Sequence, residues 1–221
     1  MTTIPEMLNR LPADVRRTQL IEAGLTIAER SGIASVTVRA VAEQAHVSLG
    51  VVHYCFENKE ALVAAMGEQL VTQLSGAMRE ALGAETTESA ACLTGARGMR
   101  ELLHRGLTAM WDIIENTADR QLLTYEITTY SLRSRAAGST VAGNIGLLQY
   151  QVMDTEAAQF LARTAAFTSM AWTEPLSSLA RAALATIDGL VLRWLVDRDS
   201  LAIIAELDDL AARFTTKAVP L

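Results

Sequence analysis

The 221-residue sequence lacks most of what marks a secreted or membrane-bound protein. No apolar run approaches the ~20 residues that a helical membrane span needs. Cysteine is scarce: Cys55 and Cys92 have no metal-ligand spacing and suit a reducing compartment as free, small apolar residues. Met1 to Asn9 includes Glu6 and has no apolar core, so a secretory signal is not expected. Proline and glycine are modest, at 4 and 13 residues, and no single-residue repeat occurs. These absences leave a folded, cytoplasmic globular protein as the expectation.

Catalytic vocabulary is equally thin. His46 and His53 lie near each other in the first quarter of the chain, and His104 stands alone. No paired His–Glu spacing suggests a metal, no glycine-rich loop suggests a phosphate, and no Ser or Cys nucleophile has a flanking motif. No catalytic residue, metal or cofactor is therefore expected, and an all-α enzyme is the weaker alternative. Positive charge is also short, with a net charge of −6. The first 60 residues carry six Lys/Arg against seven Asp/Glu, so the deficit lies mainly downstream. That balance neither requires nor forbids DNA, because a few well-placed cations per subunit suffice for counterion release.

What the chain does have is helical periodicity almost throughout, with no convincing alternating strand. The expected class is all-α, with about nine helices. Leu20, Ile21, Gly24, Leu25 and Ala28 give a first helix from Asp14 to Ser31, stopped by Gly32. Thr37 can cap a short second helix bearing Val38, Val41, Ala42 and Ala45. His46-Val47-Ser48 reads as a turn, with Ser48 capping a third helix that ends at Cys55. Asn58 caps a long fourth helix whose apolar residues recur every four positions from Leu62 to Leu82, with Gly83 as its end. Residues 84–94 read as a connection. Further helices are expected at 96–116, 119–134, up to about Met170, from Pro175 to Arg198, and at 200–216. Gly138 to Gly146 is either a loop or the weakened start of the helix that reaches Met170.

The first three helices have helix-turn-helix spacing. On the third, Val52, Cys55 and Phe56 fall on one side, and with Val47 can pack on the first two helices. Leu49, Gly50, His53 and Tyr54 fall on the other, a face free of formal charge. Helices this short do not persist alone, so an exposed apolar and polar face implies a partner. Gly50 admits a close backbone approach. Leu49 and Val51 suit thymine methyls, and His53 and Tyr54 can hydrogen-bond phosphates or base edges.

The stretch Thr37 to Leu62 resembles the TetR/AcrR family pattern T-x-x-x-(I/V)-A-x-x-A-G-V-S-x-G-x-x-Y-x-x-F-x-x-K-x-x-L. Two positions depart: His46 stands at the turn glycine and His53 at a tyrosine. The resemblance is specific over residues 14–74, and it implies a DNA-binding domain there, with the recognition unit at 37–56. Residues 75–221 would then form the effector-binding and dimerisation domain. It further implies DNA contacts from Thr37, Arg39, Ser48, Leu49, Gly50, Val51, His53 and Tyr54, with Lys59 as a phosphate clamp. Lys59 also sits at a helix N-terminus, whose free N–H groups favour an anion.

In the larger segment, Trp111, Tyr125, Glu126, Tyr130, Met153, Phe167 and Trp172 are candidate walls and anchor of an effector cavity, the alternative for each being core. The helix from Leu176 to Val196 is apolar nearly all round, and the last helix offers a matching stripe. A four-helix homodimer interface through Ile187, Leu190, Val191, Trp194, Ile203, Leu207 and Leu210 is expected. The function expected from this reading is a ligand-responsive transcriptional regulator, a repressor released from a palindromic operator by a small, mainly apolar effector. The alternative is a small-molecule-binding helical dimer without DNA function.

Overall fold

A computed structural model describes residues 12–87 and 93–221. Cys92, and the packing of Met78 and Leu82, lie outside the described residues. Three helices open the chain: α1 (Ala13–Ser31), α2 (Val38–Gln44) and α3 (Leu49–Cys55). A 29-residue helix, α4 (Lys59–Thr87), runs on from them, followed by α5 (Gly95–Glu115) and α6 (Ala118–Ala136). The chain then forms α7 (Ile145–Thr168), α8 (Leu176–Asp197) and α9 (Ser200–Thr215). None of the described helices is long and apolar enough to cross a membrane.

Local chemistry accounts for the head. Gly32 at φ +79° ends α1, a conformation that a Cβ would strain. The Thr37 hydroxyl accepts from Ala40 N at 3.1 Å and the Asn58 side chain from Ala61 N at 2.9 Å, so α2 and α4 both start on a side-chain cap. Ser48 occupies the corresponding position of α3 but makes no side-chain cap, a departure from the expected role. The seven-residue α3 persists because Val52 and Phe56 are fully buried against α1 and α2. Each burial is worth roughly 1.5–3 kcal/mol, more than so short a helix obtains from its own nucleation-limited hydrogen bonds.

Two expectations need correction, and one left open is resolved. α4 does not stop at Gly83 but continues to Thr87, because one glycine weakens a long helix without ending it. The region 138–146, open from sequence between a loop and the start of a helix, is a turn followed by a 3-10 turn at Ala142–Asn144 that leads directly into α7 at Ile145. A short antiparallel pair is also present, β1 (Met170–Trp172) with β2 (Ala218–Pro220). At three residues each, these strands are too short for alternation to show in the sequence, and they fasten the chain end to the α7–α8 connection.

Two apolar cores result. The first joins α1–α3 and the first half of α4 to Leu123 and Ile127 of α6 and Ile145 of α7. The second fills the body, with Trp111 of α5 and Trp194 of α8 edge-to-face at 5.2 Å between centroids. Gly67 marks the tightest seam between head and body: a Cβ there would lie 2.5 Å from Ile145 Cγ2. α6 contributes to both cores, since Leu123 and Ile127 lie in the first while Tyr125 packs on the second.

Candidate nucleic-acid interface and effector cavity

The faces of α3 separate as its spacing requires. Val52 and Phe56 point inward, whereas Leu49, Gly50 and His53 are exposed and Tyr54 is 82% exposed. Val51 is half-buried at the rim, and Thr37, Arg39 and Ser48 are exposed on the adjoining part of the head. His46 adopts φ +54°, the left-handed conformation required of the turn, and Val47 N donates back to Ala42 O at 3.0 Å. The turn therefore tolerates a residue other than glycine and still sets α3 across α2.

Lys59 is the first residue of α4, and its Nζ lies 3.4 Å from the Ala34 carbonyl. An ammonium has three donors, so this long contact leaves capacity for an anion. Arg17 is a cation that the sequence reading missed. Its guanidinium stacks 4.4 Å over the Phe56 ring and donates to Cys55 O at 3.2 Å, at the carboxyl end of α3. A basic residue 38 positions away gives no local signal in the sequence, because only the fold brings it there.

The body encloses a cavity of about 130 Å³ between α4, α5, α6, α7, α8 and α9. Leu74, Leu107, Met110, Phe160 and Phe214 are among its mainly apolar walls. Of the seven residues proposed from sequence, Tyr125 and Met153 line it. Trp111 is buried against Trp194, and Trp172 hydrogen-bonds Leu161 O and packs on Phe214, so both are core. Phe167 is exposed outside the cavity, and Tyr130 packs against the head core. Glu126 turns away from the cavity altogether: its Oε2 accepts from Ile33 N at 2.7 Å, tying α6 to the loop after α1. Arg120, on the same helix, pairs with Glu29 of α1 at 2.8 Å.

Beside Tyr125, the polar residues among the cavity's described lining are Asp188 and Glu156, with Ser75, Gln121, Thr124 and Gln149. Tyr150 donates to Asp188 Oδ2 at 2.7 Å and Tyr125 to the Asp188 carbonyl at 3.0 Å. Burial raises the Asp188 pKa, partly offset by the hydrogen bond from Tyr150. Burial, together with the hydrogen bond to Asp188 and the charge there, pushes Tyr150 up to about 12. Glu156 is instead neutralised by Arg79, whose guanidinium donates to both its oxygens. Asp188 left a trace in the sequence, a lone acid within the apolar run of α8, where helix apolarity alone drew attention.

The dimer-interface residues also need correction. Ile187, Val191, Trp194, Ile203, Leu207 and Leu210 are all buried within the protomer, and Leu190 packs on the same core. They face inward because the body needs that stripe of α8 and α9 to close its own core. The large apolar residues left outside on these helices are Leu192 and Val196 of α8 and Leu201 and Ile204 of α9.

Comparison with known proteins agrees with this architecture. Residues 20–66 match the family described as bacterial regulatory proteins, tetR family. Across 182 residues the chain is 26% identical to the HTH-type nicotine-responsive transcriptional repressor HdnoR of Paenarthrobacter nicotinovorans, covering 82% of this chain and 84% of that protein. The fold is similar to a transcriptional regulator from Rhodococcus sp. Rha1, with TM-score 0.67, 21% identity and coverage of 92% and 99% of the two chains. It is also similar to the transcriptional regulator FadR of Bacillus subtilis solved in complex with stearoyl-CoA, with TM-score 0.63, 15% identity and coverage of 90% and 98%. These relatives are regulators, which decides against the all-α enzyme. The helix-turn-helix geometry, its uncharged outer face and the matched segment agree: residues 20–66 form a helix-turn-helix domain of the kind found in the tetR family of bacterial regulatory proteins, and the chain is a DNA-binding transcriptional regulator.

Proposed function

We propose that the protein is a cytoplasmic, homodimeric repressor that a small, mainly apolar effector releases from a pseudo-palindromic operator. Residues 14–74 act as the DNA-binding unit and 75–221 as the effector-binding and dimerisation unit, with α4 belonging to both. Leu49, Gly50, Val51, His53 and Tyr54 meet base edges and sugar in the major groove. Thr37, Arg39, Ser48 and Lys59 hold phosphates and fix the register. The observation that carries this reading is the exposed, uncharged face of α3, with Tyr54 left 82% in solvent on a helix too short to exist for its own sake.

The dimer forms through the outer stripe of α8 and α9. Leu192, Val196 and Leu201 are exposed there, and the position of a Gly189 Cβ has no atom within 4 Å. A second copy packed about a two-fold axis covers that stripe, and the small residue lets two α8 helices approach closely.

The switch runs through α6 as well as α4. Tyr125 of α6 lines the cavity while Glu126 and Arg120 of the same helix hold the head. A ligand that shifts α6 therefore pulls on α1 and the loop after it, changing the spacing of the two recognition helices. The named ligands of the similar proteins, nicotine and stearoyl-CoA, differ so widely that the effector must be argued from this chain's own cavity. Selection of binding sites from random duplex DNA tests the proposal. It predicts two inverted half-sites about one helical turn apart. Recovery of no preferred sequence, or of a single asymmetric half-site, overturns it.

A further inference from the structure

The cavity is walled mainly by apolar and aromatic side chains, and among the described residues no Lys, Arg or His lines it. Two carboxylates do, and they are in different states. Glu156 is paired with Arg79. Asp188 has no cationic partner among the described residues; Tyr150 donates to its Oδ2, and no hydrogen bond reaches its Oδ1. Asp188 is half-buried, and a carboxylate that loses part of its hydration beside apolar walls without a counter-charge is unfavourable. Aromatic rings at Tyr125, Phe160 and Phe214 border the same space. Their faces attract a cation and repel an anion.

We propose that the effector is an organic monocation, a protonated amine carried on a compact apolar body, whose ammonium pairs with Asp188. The apolar part fills the space between Leu107, Met110 and Phe160, and the ring of Tyr125 packs beside the charged nitrogen. Tyr150 holds the Asp188 side chain in place through its hydroxyl and is a positioning residue. An anionic ligand meets the Asp188 carboxylate, and the Arg79 cation nearby is already taken by Glu156, so fatty acids and acyl carboxylates are disfavoured. This inference rests on the effector reading of the cavity given above.

The test uses three probes of matched size, hexylamine, 1-hexanol and hexanoate, titrated calorimetrically into the full-length protein at neutral pH. Hexylamine is expected to bind at least tenfold more tightly than hexanol, with hexanoate weakest. Asp188→Asn, which is nearly isosteric and can still accept from Tyr150, should abolish the preference for the amine. Glu156→Gln, whose charge is already matched by Arg79, should retain it. Tyr150→Phe should weaken the amine and leave hexanol unchanged. Equal or tighter binding of hexanol or hexanoate by the wild type, or no binding of any of the three, overturns the proposal without relying on a variant that must fold. An unchanged preference in Asp188→Asn overturns it as well. Operator binding is followed in parallel. Loss of amine selectivity with operator binding intact defeats only this inference, whereas selective amine binding that never alters operator affinity defeats the switch.

Discussion

Replacing Glu126 with alanine removes the carboxylate hydrogen bond by which α6 holds the loop after α1. Its Oε2 accepts from Ile33 N at 2.7 Å and lies close against Gly32, where a Cβ would be only 3.3 Å from the same oxygen. A hydrogen bond to a charged acceptor is worth roughly 1.5–3 kcal/mol. Water can reach this half-buried site and recover part of that, so about 1.5 kcal/mol is the expected loss. Every ~1.4 kcal/mol is a factor of ten in an opening equilibrium, so the Ile33 amide should exchange its hydrogen about ten times faster. Exchange measured by mass spectrometry on peptides covering 31–37 reads this directly, and chemical denaturation should show a lower midpoint with an unchanged slope. Glu126→Gln keeps an acceptor without the charge and should show about half the effect. Arg120 remains paired with Glu29, so the head stays attached while its orientation loosens, and operator affinity should fall by no more than about tenfold. Unchanged Ile33 exchange in Glu126→Ala would refute the tether, and with it the part assigned to α6 in the switch.

Val196→Glu, at a site 79% exposed in the protomer, should leave the fold intact and convert a dimer to a monomer in sedimentation; a persistent dimer would place the interface elsewhere. Trp194→Glu should instead unfold the body, because that residue is 3% exposed and packed on Trp111. His46→Gly should raise stability by up to ~1 kcal/mol, since φ +54° suits glycine; a fall in the denaturation midpoint would show that His46 makes a compensating contact. Burial raises the Asp188 pKa, so the folded state holds that proton more tightly than the unfolded state. Its contribution to stability is full below the unfolded value of about 3.8 and is lost as pH rises through the folded value. Asp188→Asn should therefore stabilise the ligand-free protein at neutral pH, and the gain should shrink on acidification; a gain independent of pH would point to packing instead.

The parts that the sequence made legible are those fixed by neighbours a few residues away. The caps at Thr37 and Asn58 and the stop at Gly32 follow from residue chemistry at helix ends, and the two faces of α3 follow from periods of three and four residues. The interface on α8 failed for the opposite reason. A helix apolar nearly all round has no periodicity to say which stripe its own core takes, and the core took Ile187, Val191 and Trp194, leaving Leu192 and Val196 outside. The cavity depends on contacts 38 to 63 residues apart, such as Tyr150 with Asp188 and Tyr125 with the Asp188 carbonyl. Trp111 and Trp172 are large aromatics whose bulk serves the core, and Asp188, an acid within the apolar run of α8, was the better indicator. Glu126 stood out for the same reason, as an acid in an apolar stretch, and its partner proved to be a backbone N–H of the head.

The central claim is that the outer face of α3 reads DNA. Fluorescence anisotropy with the duplex recovered by site selection tests it most directly, comparing wild type with a His53→Ala, Tyr54→Ala and Lys59→Ala triple variant over a range of salt. The exposed positions make a folded triple variant the expectation, checked by its circular dichroism. Specific binding should fall by at least tenfold, and the slope of affinity against salt should flatten by about one counterion, the share of Lys59. Wild-type affinity and an unchanged slope in the folded triple variant would contradict the assignment of this face.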